Sequence, residues 1–495
     1  MTEGDQWFDV AKKLYDEKIA EPVLWLGDDC HYKKAKTIFG DNVVFMNTFV
    51  NRPYEINEIK YEGENHDFYF SKNYLRAKDR CLKMMDRLDL YGFFGRIDRE
   101  VYFNKITAWT LKKVQNSKPD FLLAAEAPHD HAKYIIYEIC KFLEIPIYKF
   151  NTWNLSPLIY LQNMINGEKI KKTISLKSSF DKKVKKDVDD YVNSVARKGQ
   201  KFEFSYMKNQ KLKSRWYYKL YNFFVKGNSI RGHGGIRDQY LDIRHNIGMI
   251  LRRKYNPINP YRAGYLLRLM FKEHRKLNLR RQINKFQDDY SFDEKYVYFP
   301  LHFEPERTTN PDGGFFHDQL VALIMLRQLV PKNIFIYIKE HPSQKLVGAK
   351  GSRGRSPLFY NMVKNISNVK IVDLNEDSYK LLNKSLFTAT ISGSIAFESA
   401  LLGKKSIVFG TTWYDGCPNI FNWNKNLTYN EIISSKIHNV DSINEFLYHE
   451  IDNYTVLGFQ NGSKLRRFNE FDTSSFRKIQ LKGIFHLINN LIKTI

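Results

Sequence analysis

The chain has 495 residues, more than a single hydrophobic core usually serves, so two domains of about 200 residues are expected. Hydrophobic residues make up 43% of the chain, enough for substantial cores, yet no run of about 18 apolar residues is present to span a membrane. The four cysteines (Cys30, Cys81, Cys140 and Cys417) form no Cys-x-x-Cys motif, which argues for a reducing compartment and against structural zinc. Residues 1–7 are acidic and polar, unlike a signal peptide, so a cytoplasmic location is expected.

The formal net charge of +24 is concentrated in one stretch. Residues 169–285 contain 31 Lys and Arg against eight Asp and Glu, with aromatic residues interleaved. Helices with this basic and aromatic composition suit an anionic membrane surface. Each basic residue near the surface contributes about 1 kcal/mol to binding, and aromatic rings lie at the interface. A nucleic acid would be attracted equally well, although no nucleic-acid-binding motif is present, and a solvated helical insertion would have the same composition.

The first 150 residues predict a doubly wound α/β beginning. An apolar strand at 22–27 leads into Asp28 and Asp29. The elements predicted after it are a helix at 33–39, a strand at 42–46, helices at 70–90 and 101–116, a strand at 121–125, a helix at 131–143 and a strand at 145–148.

Glu126, His129 and Asp130 follow the predicted strand 121–125 directly. The carboxyl end of a parallel strand is where an open α/β sheet exposes ligand-binding side chains. A carboxylate or imidazole at that place can take a proton from an attacking hydroxyl, so these three residues are candidate general bases, and Asp28 or Asp29 could serve as well. The structural alternative is that Glu126 starts a turn and caps the next helix.

Residues 150–290 are basic and are expected to be mainly helical, with a Gly-rich break at 231–235. Acidic residues interrupt the basic run near 285–295, where a hinge is expected. We therefore predict an N-terminal domain at 1–150, a basic aromatic helical region at 151–288, a C-terminal domain at 289–475 and a final helix at 476–495. The predicted fold class is α/β, with two Rossmann-type doubly wound domains and a basic helical insertion.

Residues 333–338 form an apolar, β-branched and aromatic run typical of a buried parallel strand, and Lys339-Glu340-His341-Pro342 follows it. His341 can donate to a phosphate oxygen from the carboxyl end of that strand. Pro342 ends the strand and biases His341 toward an extended backbone. A histidine in an ordinary loop is the alternative reading of this motif.

Residues 388–410 predict a strand, a Ser392-Gly393-Ser394 turn, a short helix and a second strand. A turn that opens a helix offers free N–H groups, so a phosphate is expected to bind there. Glu398 is four residues after Ser394, on the same helical face, where its carboxylate can accept from ribose hydroxyls. The alternative is an ordinary strand–helix–strand unit in which Glu398 is solvated.

The strand at 296–300, the loop 301–306, the Lys-Glu-His-Pro motif and the Ser-Gly-Ser turn together resemble the bacterial capsule-polysaccharide biosynthesis glycosyltransferases. The resemblance covers roughly residues 290–425. It implies a GT-B fold, whose two Rossmann-type domains face a cleft, and it includes enzymes that transfer Kdo or sialic acid from CMP donors. By this resemblance, the residues expected to bind the nucleotide phosphate and sugar are His341, Pro342, Ser392, Ser394 and Glu398. The turn here is Ser-Gly-Ser and not two adjacent serines, which leaves open whether Ser392 or Ser394 contacts the phosphate.

Further donor-binding candidates surround these motifs. Glu304 and Glu306 follow the strand 296–300 and are expected to orient the base, ribose or sugar. Arg353 and Arg355, in a Gly-rich loop, can reach a carboxylate or phosphate as planar forks. Lys339 and Gly393 complete the predicted donor site, and no metal ligand is expected.

The expected function is transfer of a sugar, by the resemblance a CMP-activated acidic sugar, to a capsule or lipopolysaccharide glycan. No cofactor is expected besides the nucleotide-sugar donor. Lipid-linked glycan acceptors favour the anionic membrane surface, and not nucleic acid, as partner of the basic stretch, so peripheral association with the inner face of the cytoplasmic membrane is expected. The alternatives are a teichoic-acid-type polyol-phosphate transferase, a sugar-nucleotide epimerase and a scaffold that binds nucleotide or polysaccharide without turnover.

Overall fold

A computed structural model describes residues 5–27, 32–45, 67–88, 95–153, 155–173, 181–196, 283–305, 309–345, 354–460 and 473–495. Most of the basic stretch and the Gly-rich break at 231–235 lie outside the described residues. The same holds for four candidate site residues, namely Asp28, Asp29, Glu306 and Arg353.

The described part of the chain alternates short strands with helices. The strands are β1 (Trp25–Gly27), β2 (Val43–Phe45), β3 (Leu122–Ala124), β4 (Ile147–Thr152), β5 (Leu158–Asn163), β6 (Tyr296–Pro300), β7 (Phe335–Lys339), β8 (Val369–Ile371), β9 (Thr388–Thr390), β10 (Ser406–Val408), β11 (Ile420–Asn422) and β12 (Thr455–Leu457). The helices are α1 (Asp5–Asp16), α2 (Tyr32–Phe39), α3 (Lys72–Leu88), α4 (Arg96–Ser117), α5 (His131–Phe142), α6 (Asp181–Ala196), α7 (Gln319–Leu329), α8 (Pro357–Lys364), α9 (Ser378–Lys384), α10 (Ile395–Leu401), α11 (Tyr429–Ser434), α12 (Val440–Asn453) and α13 (Thr473–Thr494). Single helical turns lie at Gly40–Asn42, Asp67–Phe70, Asn284–Phe286, Thr309–Asp312, Gly314–His317 and Pro342–Lys345. None of the described helices has the length and apolar character needed to cross a bilayer.

The chain folds into two compact units. The first contains Met1–Leu88, Arg96–Asn193 and Val440–Ile495, and the second contains Asp89–Gly95 and Ser194–Asn439. The domain limits predicted from the sequence, at residues 150, 288 and 475, divide the chain differently and stay predictions.

The first unit contains the elements expected from the N-terminal sequence, in the expected order, but they do not form one continuous parallel sheet. Among the described residues, β1 and β2 pair only with each other, in parallel. A second sheet has the order β12-β5-β4-β3, in which β3 and β4 are parallel and β5 and β12 are each antiparallel to their neighbours.

Strand β5 lies in the region that the sequence analysis takes to be mainly helical, and this expectation is wrong for residues 158–163. Leu158, Ile159, Tyr160 and Leu161 are all buried, as in a short strand covered on both faces. The side chains of Ile159 and Leu161 pack in a core to which helix α13 contributes Leu487 and neighbouring apolar residues. The basic composition farther along the chain concealed this short apolar run.

The second unit is built on a six-stranded parallel sheet with the order β11-β10-β9-β6-β7-β8. The strands predicted near 296–300, 333–338, 388–391 and 406–409 are therefore confirmed as β6, β7, β9 and β10. The chain runs from β6 to β7 and β8 on one side and then returns to β9, β10 and β11 on the other. The strand order thus reverses between β6 and β9, and we call this place the switch point.

The central strands of this sheet are buried on both faces, which explains their nearly continuous apolar sequences. In β6, Val297 and Phe299 pack in one core cluster, while Tyr296 and Tyr298 pack in another, as the two-residue period of a strand requires. The described candidate site residues of this unit lie at the ends of the strands, in the loops that follow them and, for Glu398, in helix α10.

Candidate functional site

The loops that follow β6 and β9 meet at the switch point through one histidine. His302 comes two residues after β6, and its Nε2 atom lies 3.0 Å from Oγ1 of Thr390 at the end of β9. The same Nε2 atom accepts a hydrogen bond from the N–H of Ser392 at 3.3 Å. Open α/β sheets bind ligands outside the carboxyl ends of their strands at a switch point, so this is the place where a ligand is expected.

The Ser392-Gly393-Ser394 turn uses two of the N–H groups that the sequence analysis takes to be free. The N–H of Ser392 donates to His302, and the N–H of Gly393 donates to Oγ1 of Thr390 at 3.2 Å. The expectation of free donors is therefore wrong for these two residues. The helix that follows, α10, has only seven residues, and its N-cap residue Ser394 makes no side-chain capping bond.

A glycine is required at position 393 because the side chains of Thr390 and His302 lie close to its Cα atom. A Cβ atom there would lie 2.8 Å from Oγ1 of Thr390 and 3.4 Å from Cε1 of His302. Any larger residue would push the turn away from the histidine.

His302 is neutral at physiological pH. Burial, together with the nearby His341 and Arg355 side chains, lowers its pKa to about 3. Because Nε2 accepts the N–H of Ser392, neutral His302 carries its proton on Nδ1. The sequence analysis missed this residue as an individual site residue, although it has the same signal as His341, a histidine directly after a buried parallel strand.

His341 is half-buried beside the same loops. Its Nδ1 atom accepts a hydrogen bond from the N–H of Ser343 at 3.1 Å, so the neutral ring carries its proton on Nε2. The ring meets Phe303 edge to face, with 6.0 Å between the ring centroids. Pro342 is exposed and begins the single turn Pro342–Lys345. The predicted donor atom of His341 is therefore defined, while its contact with phosphate stays a prediction.

Lys339 and Glu340 have internal partners in the second unit. The Nζ atom of Lys339 donates to the carbonyl oxygen of Glu376 at 2.5 Å and to Oγ of Ser378 at 2.8 Å, and the residue is buried. Glu340 pairs with the guanidinium of Arg355, with Nε 2.9 Å from Oε2. These bonds fix the loop after β7, and a contact between Lys339 and the donor stays a prediction.

Arg355 is buried, and its Nη2 atom donates to the carbonyl oxygen of His302 at 3.1 Å. Although burial alone would lower the pKa of Arg355, the carboxylates of Glu340 and Glu304 outweigh it and raise that pKa. The guanidinium thus stays charged and ties the loop after β7 to the loop after β6. The sequence analysis assigned it to a ligand carboxylate or phosphate, whereas its described partners are protein groups.

Glu398 is also buried, and both of its carboxylate oxygens have partners. Oε1 accepts from the hydroxyl of Ser394 at 2.9 Å, and Oε2 accepts from the hydroxyl of Tyr379 at 2.7 Å. The solvated Glu398 of the alternative reading is therefore excluded. Its contact with ribose stays a prediction, and such a contact would add to these two bonds.

Glu304 is 2% exposed and accepts at Oε1 from Nε2 of Gln319 at 2.9 Å and from Oγ1 of Thr309 at 3.3 Å. Its backbone N–H and carbonyl oxygen both bond to the side-chain amide of Gln344. Glu304 therefore holds the loop after β6 in place, and the predicted orientation of the donor by this residue stays a prediction.

In the first unit, Glu126, His129 and Asp130 lie between β3 and α5, as predicted. Asp130 is the N-cap of α5, because its Oδ1 atom accepts from the N–H of Lys133 at 3.0 Å. The Nζ atom of Lys133 lies 3.5 Å from Oε1 of Glu126 and 3.3 Å from Oδ2 of Asp130. The sequence analysis considered Glu126 as the helix cap, and Asp130 has this role instead.

The two carboxylates of this cluster differ as candidate bases. Burial raises the pKa of Asp130, but the charges of Lys133 and His131 and the capping bond outweigh it, so that its pKa is lowered overall. A base with a lowered pKa accepts a proton less readily, which disfavours Asp130 for that role. Within the described ranges, no group of three His, Cys, Asp or Glu side chains could hold a metal ion.

Comparisons with known proteins give weak similarities. No protein-family model and no curated protein matches the chain. Among solved structures, KpsC of Thermosulfurimonas dismutans matches as a beta Kdo 2,7 transferase, with 16% identity, a TM-score of 0.21 and coverage of 38% of this chain and 55% of that one. The beta Kdo 2,4 transferase KpsC of the same organism matches with 19% identity, a TM-score of 0.21 and coverage of 35% and 61%.

The UDP-GlcNAc 2-epimerase of Methanocaldococcus jannaschii matches with 12% identity, a TM-score of 0.22 and coverage of 76% of this chain and 83% of that one. The chain thus spans little more than half the length of the two transferases. TM-scores of this size support no conclusion about the activity of this chain.

Proposed function

We propose that the chain is a nucleotide-sugar-dependent glycosyltransferase that binds the phosphate of its donor at the switch point of the second unit. One observation carries the proposal. The loops after β6 and β9 are joined by His302, Thr390 and the N–H of Ser392 at the place where the strand order reverses. Ligands of open α/β sheets bind at such places.

The proposed chemistry is departure of the donor's phosphate as the glycosidic bond forms. The Nε2–H group of His341 is the donor that we assign to the departing phosphate, because Nδ1 of the same ring is held by Ser343. A preorganised donor aimed at developing negative charge stabilises the transition state more than the ground state. The reaction is proposed to need no metal and no cofactor.

The sugar is proposed to be an acidic one activated by CMP, and the acceptor a capsule or lipopolysaccharide glycan. The support is the resemblance of the Lys-Glu-His-Pro motif and the Ser-Gly-Ser turn to the capsule-polysaccharide glycosyltransferases. The same resemblance supports the GT-B arrangement, in which two Rossmann-type domains face a cleft. Glu126 is the residue that we assign to deprotonation of the acceptor hydroxyl, since it follows strand β3 and is not the cap of the next helix.

The enzyme is further proposed to work at the inner face of the cytoplasmic membrane. The support is that residues 169–285 contain 31 Lys and Arg residues against eight Asp and Glu residues. An anionic bilayer attracts such a stretch, and a lipid-linked glycan acceptor would be presented there.

Mass analysis of products tests the proposal. The protein is incubated with an acceptor glycan and with CMP-, UDP-, GDP- or CDP-linked donors, one at a time. A glycosyltransferase lengthens the acceptor by one sugar, and we expect this with the CMP-linked acidic sugars. Addition of a polyol phosphate, isomerisation of the donor without transfer, or binding without any product would each overturn the proposal, in favour of the polyol-phosphate transferase, the epimerase and the scaffold respectively.

A further inference from the structure

His302 occupies the switch point but has no role in the chemistry described so far. We propose that it is a ligand-binding residue, whose Nδ1–H group donates a hydrogen bond to an anionic oxygen of the bound nucleotide. The inference rests on the proposed function and names one more residue of the same site.

The ring of His302 is fixed on one side. Its Nε2 atom lies 3.0 Å from the hydroxyl oxygen of Thr390 and accepts the N–H of Ser392. Oγ1 of Thr390 itself accepts the N–H of Gly393, so that its hydroxyl proton is directed to His302. With both groups directed at Nε2, the ring proton must reside on Nδ1.

The Nδ1–H group is available to a ligand. Among the described residues, no hydrogen-bond partner of this atom is found, and the atom is not one of the buried side-chain atoms that lack a partner. The side chain is half-buried at the carboxyl edge of the sheet. A hydrogen-bond donor that has no partner among the described residues and lies at a switch point is placed to meet a ligand.

The backbone of His302 is held at both of its polar groups. Its N–H donates to Oε1 of Gln319 at 2.8 Å, and its carbonyl oxygen accepts from Nε2 of Gln319 at 3.2 Å and from Arg355 at 3.1 Å. The donor is therefore preorganised, and little conformational freedom is lost when it binds an anion. Because the pKa of the ring is low, His302 stays neutral over the physiological pH range, and its charge does not change there.

Two conservative variants separate contact with the ligand from support of the turn. His302→Gln keeps an acceptor near the position of Nε2 and removes the donor at Nδ1, while His302→Asn keeps a donor near Nδ1 and removes the acceptor at Nε2. Binding of CMP, UDP and GDP is measured by calorimetry for both variants, with thermal unfolding in parallel. His449→Gln, on the exposed face of α12 in the first unit, is the control.

For the nucleotide that the wild-type protein binds, we expect His302→Gln to weaken affinity by about tenfold to 100-fold, as for loss of a hydrogen bond to a charged group. His302→Asn should bind the nucleotide more tightly than His302→Gln, although His302→Asn unfolds at a lower temperature. A purely supporting role of His302 would instead make His302→Asn the weaker binder. In nitrogen NMR of the wild-type protein, the signal of Nδ1 of His302, identified by its loss in the variants, should shift when that nucleotide is added.

Equal affinity of His302→Gln and the wild-type protein overturns the inference, as does weaker binding by His302→Asn than by His302→Gln. If sugar transfer proceeds while either result is found, the proposed function stands without the inference. A nucleotide that binds through His302 with no transfer to any acceptor would contradict the transferase alone. A wild-type protein that binds none of the three nucleotides contradicts both.

Discussion

The hydroxyl of Ser394 donates a hydrogen bond to Oε1 of Glu398 at 2.9 Å, which commits the only proton of that hydroxyl. Toward a ligand, the hydroxyl of Ser394 can therefore only accept. The hydroxyl of Ser392 is buried and has no hydrogen-bond partner among the described residues. Of the two hydroxyl groups in the turn, only that of Ser392 has an uncommitted proton to give to a phosphate oxygen.

This difference predicts unequal effects of two matched substitutions. Ser392→Ala should weaken nucleotide binding by about tenfold, the value of one hydrogen bond to a charged group. Ser394→Ala should change affinity less, and should instead lower the free energy of unfolding by about 1 kcal/mol because Glu398 loses a buried partner. Calorimetry and urea unfolding measure the two quantities. A larger loss of affinity in Ser394→Ala would mean that the Ser394 hydroxyl turns away from Glu398 when the ligand binds.

His341→Ala should lower the rate of transfer by about 100-fold or more while the fold stays intact, because one preorganised donor at a departing phosphate is worth roughly 3 kcal/mol. Affinity for the nucleotide should change less than the rate. Steady-state kinetics with the wild-type protein and the variant measure both. Unchanged kinetics in the alanine variant would remove the departing phosphate from this loop.

The ion pair between Glu340 and Arg355 is buried, so breaking it should be costly. Arg355→Met should lower the free energy of unfolding by about 3 to 5 kcal/mol, since it leaves the Glu340 carboxylate buried without its cation. The double variant Glu340→Gln with Arg355→Met should lose less than the sum of the single variants. Lys364→Met, which removes the partly exposed pair with Asp288, is the control and should cost less than about 1 kcal/mol. Equal losses in Arg355→Met and Lys364→Met would show that the buried pair does not hold the loop.

Asp130 and Glu126 should respond differently to loss of their charge. Asp130→Asn keeps a good helix cap but loses the charge that faces Lys133, and should lower the free energy of unfolding by about 1 to 3 kcal/mol at neutral pH. Because the pKa of Asp130 is lowered in the folded state, this contribution is present above the ordinary aspartate pKa of 3.8 and is lost as the pH falls below it. Urea unfolding of both proteins from pH 7 to pH 3 measures the difference, which should shrink only at the acidic end.

Glu126→Gln is the matched substitution for catalysis. It should leave nucleotide binding intact and sharply reduce transfer, whereas Asp130→Asn should retain transfer. If Asp130→Asn or His129→Ala abolishes transfer while Glu126→Gln retains it, the proton acceptor is assigned to the wrong residue.

The part of the basic stretch within α6 offers a test of the membrane proposal. Lys182, Lys185 and Lys186 are exposed there, and Lys183 lies beside them. Replacing these four by Gln should weaken binding to anionic vesicles by up to about 4 kcal/mol at low salt, and binding should fall as salt shortens the screening length. The control replaces four exposed lysines of the second unit by Gln, namely Lys332, Lys384, Lys425 and Lys436. Vesicle binding that is absent in the wild-type protein, or reduced equally in both variants, would refute a specific membrane role for this stretch.

The sequence predicted the four inner strands of the second unit, β6, β7, β9 and β10, because each is a short run of buried residues, and it missed the two edge strands, β8 and β11. Tyr296–Pro300 and Phe335–Lys339 have this pattern, and polar residues follow them directly. The hairpin of β4 and β5 was missed because its second strand precedes a strongly basic segment. The return of β12 to that sheet depends on contacts between distant parts of the chain, which no local pattern reveals.

The positions of the candidate residues were predictable, but their partners were not. A histidine after a strand indicates the edge of the sheet, and both His302 and His341 lie there. That Lys339 bonds to Ser378, or that Arg355 bonds to Glu340, depends on the folding of other loops against the strand ends. The residue types suggested ligand contacts for Lys339 and Arg355, whose described bonds are internal.

Hydrogen exchange followed by mass spectrometry tests most directly whether the nucleotide binds at the switch point. Exchange is compared in the protein alone and with CMP, UDP or GDP at saturating concentration. We expect one of these nucleotides to slow exchange in peptides that cover residues 301–305, 340–345 and 391–398, with the largest effect for CMP. A nucleotide that binds tightly but slows exchange only in the first unit, for example around β3 and α5, would contradict the account.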